Sequence, residues 1–375
     1  MAKVLEFYKG RKKKKDLTII PTIIAVAVIT AIVVLFYSMQ KYAVITKEDV
    51  EVVMPFMESD SGTTVDEQGN EVKTFEKVDV QVTFNSPDYS SLEAVAGKNA
   101  GELRAIFVPW DEVNKEKLTE YAGRLSSGNA LVIEMKPREG NLMWNCKAEM
   151  AYAYALSGES EKTVEVETTI AGLKEKGVYL VAQLSCCIDK LLCSSSTTVT
   201  IKNSLGATYT NDLGMWLDPY NLNVRKYIVE MANEMYAMGF DEVVLADVMH
   251  PALEEEEVVY YTREMSTSQN PTNAILSLAV YLAEALEDRE GLLSIYTDSA
   301  ASLVKTDSST GQNAVIFMKI FDRVYYRTDK YAYTYNVEDI KNNVEIGNVY
   351  DRLIPVVENY LPDSTSWVYI ETETE

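Results

Sequence analysis

From Leu103 to Ile370, short β-branched runs alternate with amphipathic helical stretches, and no other feature constrains the fold as tightly. This order predicts parallel strands in one sheet, joined by helical crossovers. The strands read as Leu103–Val108, Ala130–Met135, Val178–Ser185, Glu242–Val248, Leu292–Thr297, Arg323–Tyr326 and Trp367–Ile370. Helical spacing falls at Lys115–Leu125, Glu161–Lys176, Asn223–Met238, Asn273–Glu287, Gln312–Ile320 and Asp351–Leu361. Near-continuous apolar strands such as VYLVAQLS mean a sheet covered on both faces. An α/β TIM-type (β/α) barrel and a doubly wound open sheet both satisfy the pattern. No glycine-rich turn follows the first strand, so dinucleotide binding has no support. Seven strands leave a barrel one short, and Val78–Phe84 or residues 331–335 are the candidates for the eighth.

The N-terminal part is built for another environment. Leu17–Tyr37 carries no charge over 21 residues. As a helix it is about 31 Å long, the thickness of a bilayer core of about 30 Å. A cleaved signal would have a shorter apolar run and a small-residue cleavage site, and Ser38-Met39-Gln40 offers none. Residues 1–16 hold seven lysines and arginines against two acids, five of the seven being Arg11–Lys15. The positive-inside rule then places this tail in the cytoplasm and everything beyond the span outside the membrane. The chain divides into a basic tail (1–16), a transmembrane helix (17–37), an extracytoplasmic stalk with a short strand (38–101) and the alternating domain (102–375).

Charge narrows the partners. The formal net charge is −22, and with a basic tail the remainder is more acidic still. Such a surface does not neutralise phosphates, which excludes ordinary nucleic-acid binding. Cys146, Cys186, Cys187 and Cys193 are even in number, which permits a Cys186–Cys193 or Cys187–Cys193 disulfide; small buried thiols read equally well. Neither their spacing nor the single histidine suits zinc, and no metal or cofactor is expected. Glu254–Glu257 lacks calcium-loop spacing and reads as a solvated acidic loop.

In a parallel barrel, chemistry sits where the strands end. Those ends offer Trp110 after the first strand, Glu134 and Lys136 on the second, Asp189 after the third, and Asp247 and His250 on the fourth. Asp298 follows the fifth and Tyr325 lies on the sixth. Carboxylates and aromatic rings around one rim suit a sugar: rings stack on pyranose faces, and two carboxylates divide acid from base or nucleophile. Glu134 and Asp247 are the candidate catalytic pair. Trp110, Lys136, Asp189, His250, Asp298 and Tyr325 are candidate substrate contacts.

Five segments resemble, in order, a bacterial family of glycoside hydrolase-like barrel domains distantly akin to α-amylases. They are Leu131–Trp144, Gly172–Cys193, Gly214–Tyr220 (GMWLDPY), Gly239–Pro251 (GFDEVVLADVMHP) and Thr310–Asp322. The resemblance implies the barrel rather than the open sheet, and a polysaccharide or other glycan as ligand. It also exposes a departure. The family's strand-four Asp falls on Ala246 and its Arg on Met249, with Asp247 one place along. One place along a strand is the opposite face, so Asp247 is expected to point outward unless a bulge resets the register. Two readings follow: a membrane-anchored glycosidase of envelope or extracellular polysaccharide, and a degenerate barrel that binds a glycan or a protein partner without turnover.

Overall fold

The computed structural model describes residues 88–93, 100–125, 129–255, 257–261, 270–297, 300–328, 349–358, 360 and 365–371, and the backbone of four short strands nearer the N-terminus. The expected membrane span at 17–37 and the candidate strands at 78–84 and 331–335 lie outside these residues. Among the described residues, no helix is long and apolar enough to cross a membrane. By chain contacts, the molecule divides into residues 1–84 and 85–375. The first unit contains two antiparallel pairs, Ala43–Ile45 with Val50–Val52 and Thr64–Val65 with Glu71–Val72.

The second unit is a closed parallel barrel of eight strands. We number them β1 (Arg104–Val108), β2 (Ala130–Lys136), β3 (Tyr179–Ser185), β4 (Glu242–Ala246), β5 (Leu292–Thr297), β6 (Arg323–Arg327), β7 (Leu353–Glu358) and β8 (Trp367–Ile370). Each strand pairs with the next, and β8 returns to β1 with Val368 opposite Ala105. Closure leaves no unpaired edge.

The eighth strand is β7, in a segment whose spacing predicts a helix over 351–361. A short helix, Val349–Arg352, gives way to LIPVVE. Pro355 hides the strand, because proline cannot donate to a ladder and argues against a central position. Here it sits opposite Tyr326 of β6. The β-branched Val356 and Val357 on either side of the next pleat favour the extended state.

Most crossover helices begin on side chains suited to the task. Asn114, Ser160, Asp189, Asn221, Asn270 and Asn313 each accept a hydrogen bond from a backbone N–H of the first turn. Gly239 closes Leu222–Met238 with φ +102°, a conformation that spares it the clash a Cβ would bring. Met231 and Met235 on that helix are fully buried, as core packing requires.

Inside the barrel the base is polar. Glu242 at the start of β4 accepts hydrogen bonds from Ser294 (2.5 Å), Tyr325 (2.8 Å) and Tyr179 (3.0 Å), and pairs with Arg323 of β6. Arg323 also donates to the carbonyls of Ala100 and Gly101, fixing the chain where it enters β1. Both Glu242 oxygens and the two terminal nitrogens of Arg323 are engaged, which is what lets a buried charge pair be tolerated; in this cluster only Arg323 Nε has no partner among the described residues. Arg323→Met leaves Glu242 uncompensated and is expected to lower stability by about 3–5 kcal/mol. Adding Glu242→Gln to it should recover part of that loss. Chemical denaturation followed by tryptophan fluorescence checks this, since all four tryptophans lie in the barrel unit; strictly additive losses would contradict it.

Candidate functional site

A cavity of about 820 Å³ opens at the C-terminal mouth of the barrel. Glu134, Arg138, Asp247, Trp110, Tyr296 and Tyr325 are among its lining residues. Two local irregularities decide which side chains reach it.

The first lies on β2. Glu134 is opposite Gln183 while Lys136 is opposite Leu184, so one extra residue bulges between them. Before the bulge, the even-numbered residues face the barrel interior, and Glu134 is the last of them. The bulge carries Lys136 out of that series, to the outer side of the sheet. There it is fully buried, with its ammonium 3.0 Å from Asp189 and donating to the Ser185 carbonyl at 2.8 Å. Asp189 is equally buried and caps Lys190–Ser195 through Leu192 N–H. Gly140 (φ +90°) lies against this carboxylate, where an added Cβ would stand 2.2 Å from Asp189 Oδ1. Lys136 and Asp189, expected to contact substrate, are therefore a structural pair. Their strand-end positions are right, but the bulge turns Lys136 away from the cavity, and Asp189 faces it there as the cap of Lys190–Ser195.

The second irregularity is at the end of β4. The strand stops at Ala246, and Asp247 adopts a left-handed backbone with φ +55°. Aspartate tolerates this region better than most residues. The turn returns the Asp247 side chain to the cavity, against the outward direction that strand parity predicts. Arg138 grips it: Nε lies 3.0 and 3.1 Å from the two carboxylate oxygens, and Nη2 lies 2.6 Å from Oδ1. Ser185 Oγ donates to Oδ2 at 2.6 Å. Charge-assisted bonds of this fork geometry hold the carboxylate in place.

Glu134 is in the opposite condition. Burial pushes its pKa from the usual 4.5 up to about 7, and the nearby negative charge of Asp247 adds to the rise. The Trp110 backbone N–H, 3.1 Å from Oε2, works the other way but is outweighed. Glu134 is thus about half-protonated at neutrality, beside an Asp247 carboxylate held by Arg138 and Ser185.

The remaining expected contacts divide. Trp110 stands at the rim. Tyr325 forms the cavity floor, but it is fully buried and its hydroxyl is turned down to Glu242, so it cannot serve as an exposed stacking platform. His250 is buried outside the lining, with Nδ1 2.7 Å from the Pro251 carbonyl and its backbone N–H on the Thr310 carbonyl. Burial lowers its pKa to about 4, so it is neutral and helps to fix the loop. Asp298 lies outside the described residues. The four cysteines are free and buried, so the buried-thiol reading holds and neither permitted disulfide is present. Burial raises the pKa of each thiol, to about 12 for Cys187 and Cys193.

Arg138 is the cavity-lining side chain that the strand-end reading undervalued. Its signal was a second base just beyond Lys136, flanked by Glu134 and Glu139. Gln183 lines the cavity beside Glu134, and buried Gln312 accepts from Thr297 Oγ1 at 2.7 Å while donating to the Val248 carbonyl at 3.2 Å. Trp216 and Asp218 of the Trp-Leu-Asp-Pro motif are both fully buried. Trp216 donates to Asn211, and Asp218 accepts from the Tyr220 N–H. Among the described residues, no cluster of histidine, cysteine and acids could hold a metal ion.

Fold and cavity define a TIM-type barrel with a carboxylate-bearing mouth. A family model described as "Putative glycosyl hydrolase domain" matches residues 105–342, more than half of the chain, and the chain belongs to that family. The glycoside hydrolase domain of PgaB (BpsB) from Bordetella bronchiseptica is similar in structure, with a TM-score of 0.50 at 12% identity over 72% of this chain and 93% of that one. A hypothetical protein from Ruminiclostridium thermocellum gives 0.43 at 20% identity, covering 51% and 96%. Aspergillus fumigatus Ega3, solved in complex with galactosamine, gives 0.41 at 10%, covering 77% and 96%. No curated protein matches the chain in sequence. Likeness at these identities concerns the fold; what the site does rests on its own residues.

The raised pKa of Glu134 has a thermodynamic consequence. The folded state binds this proton more tightly than the unfolded chain does, so the stabilisation is complete below about 4.5 and is lost as pH rises through about 7. Glu134→Gln mimics the protonated acid. It should match the parent near pH 4 and exceed it above pH 8, by on the order of 2 kcal/mol after partial solvent screening. Denaturation midpoints across this range check it, and a constant difference between the two proteins would refute it.

Proposed function

We propose that this chain is a membrane-anchored glycoside hydrolase of envelope or extracellular polysaccharide. Glu134 is its proton donor and Asp247 its anionic partner. The observation that carries the reading is the contrast between two carboxyl groups in one cavity, Glu134 with its pKa raised by burial to about 7 and Asp247 bonded through both oxygens to Arg138 and Ser185. Two carboxyls in such unlike environments are suited to divide the roles of acid and partner. Glycosidic cleavage needs a proton for the departing oxygen and negative charge for the oxocarbenium-like transition state. Trp110 at the rim supplies a ring for a sugar face.

The anchor in this reading is residues 17–37, with the basic tail inside and the barrel outside. Its support is the uncharged stretch and the flanking Arg11–Lys15.

A second reading, glycan binding without turnover, has its own observation. Both Asp247 oxygens are already engaged by Arg138 and Ser185, and the family's strand-four Asp position is Ala246. Release of reducing ends from a panel of envelope polysaccharides separates the two. Hydrolysis should fall as pH rises through about 7, where Glu134 loses its proton. Glu134→Gln should lower it by roughly 10²- to 10⁴-fold, the usual range for a lost general acid. Binding without release would favour the second reading, and silence on both counts a protein partner. For the anchor, alkaline extraction should leave the full chain with the membrane and free a chain lacking residues 1–40; extraction of both would remove the anchor.

A further inference from the structure

The polar side chains inside the barrel fall into two groups. At the base, Glu242, Ser294, Tyr179 and Tyr325 are bonded to one another, and Glu242 is paired with Arg323, so their burial is accounted for within the fold. Nearer the mouth, Glu134 of β2 and Gln183 of β3 face the cavity, directly opposite each other in the parallel register. Neighbouring strands hold such a pair about 4.8 Å apart. Glu134 Oε2 accepts from the Trp110 N–H, and its Oε1 makes no hydrogen bond among the described residues. The half-buried Gln183 side chain makes none at all among them, at either end of its amide. Its neighbours on the inner face are aliphatic: Val181 stands two residues earlier on β3, and Val244 lies opposite it on β4. A third aliphatic side chain here would avoid the cost of an unpaired amide. The fold gives this amide no partner, and the cavity is the space it faces.

We propose that Gln183 is a specificity-determining contact: its amide hydrogen-bonds the 2-hydroxyl of the sugar whose glycosidic oxygen meets Glu134. This rests on the glycan reading of the cavity and deepens it. An anomeric carbon has one hydroxyl-bearing neighbour, C2. With the glycosidic oxygen at the open Glu134 Oε1, the C2 oxygen is the next along the ring, and Gln183 is the next side chain along the sheet. A hydroxyl both donates and accepts, so it pairs with either end of the amide. The substrate class is a glycoside with a free hydroxyl at C2.

The probes are methyl glucoside and methyl galactoside in both anomers, each with its 2-deoxy and 6-deoxy form. Dissociation constants are measured by saturation-transfer NMR against the full chain in lipid nanodiscs, with empty nanodiscs as the blank. Loss of the 2-hydroxyl should weaken binding roughly three- to tenfold. Gln183→Met and Gln183→Leu should fold as the parent does, because the amide has no bond to lose. Both should weaken the unmodified glycoside by the same factor and erase the 2-deoxy penalty while keeping any 6-deoxy penalty, the coupling expected of a direct contact. A parent that binds the 2-deoxy form equally well overturns the proposal, and so does a 2-deoxy penalty that both variants retain; either result leaves the glycan reading standing. Equal weakening of every glycoside by both variants gives the amide a structural role and overturns the proposal too. No binding by any member also overturns it. Release of reducing ends from a polysaccharide by the same preparation would then keep the glycan reading, and silence there would remove both.

Discussion

One ion pair, Arg138 with Asp247, organises the mouth of this barrel. It joins the segment after β2 to the end of β4 and draws in Ser185 from β3. Asp247 pays for its place with a left-handed backbone, a conformation that costs of order 1–3 kcal/mol unless the surroundings over-determine it. The surroundings do so. Cys186 and Cys187 N–H donate to the carbonyls of Ala246 and Asp247, and Gln312 holds the carbonyl of Val248. Arg138 is steadied from beneath, because its own carbonyl accepts from Lys190 N–H, next to the buried Lys136–Asp189 pair. The motif residues that look most like substrate ligands thus build the platform on which the arginine stands.

From this platform the electrical character of the site follows. The Arg138 guanidinium, bonded to Asp247, also favours the Glu134 anion, but burial of Glu134 and the negative charge of Asp247 outweigh it. The Glu134 proton is retained toward neutrality for that reason. The titrating carboxyl and the ion pair therefore share the β2–β4 side of the mouth, with Glu134 on β2, Arg138 just after it and Asp247 after β4.

Much of this was legible in the sequence, because parallel strands buried on both faces leave a strong signature. Seven strands stand where their β-branched runs lie, and the family motifs fall in order along the observed barrel. β7 was obscured by Pro355, which contradicts the ordinary rule for a central strand. At the site, strand ends could be listed but their directions could not. Lys136 and Asp247 each sit beside a backbone irregularity, and a single residue of slippage reverses a side chain. The bulge after Glu134 and the left-handed turn at Asp247 leave no compositional trace, so Lys136 was expected in the cavity, and Asp247, one of the candidate pair, could reach it only if a bulge reset the register. Tyr325 and His250 were placed correctly along the chain, but burial and engagement by neighbours, which are tertiary facts, remove them from the exposed rim.

The account turns on the charge state of Glu134. Its carboxyl can be titrated directly by difference infrared spectroscopy of the parent against Glu134→Gln, reading the protonated carbonyl band as pH is raised. A band that persists to neutrality and disappears with a midpoint near 7 is the expected result. A midpoint near 4.5 would mean that Glu134 is an anion at neutral pH, and that it is no proton donor of the kind the hydrolytic reading requires.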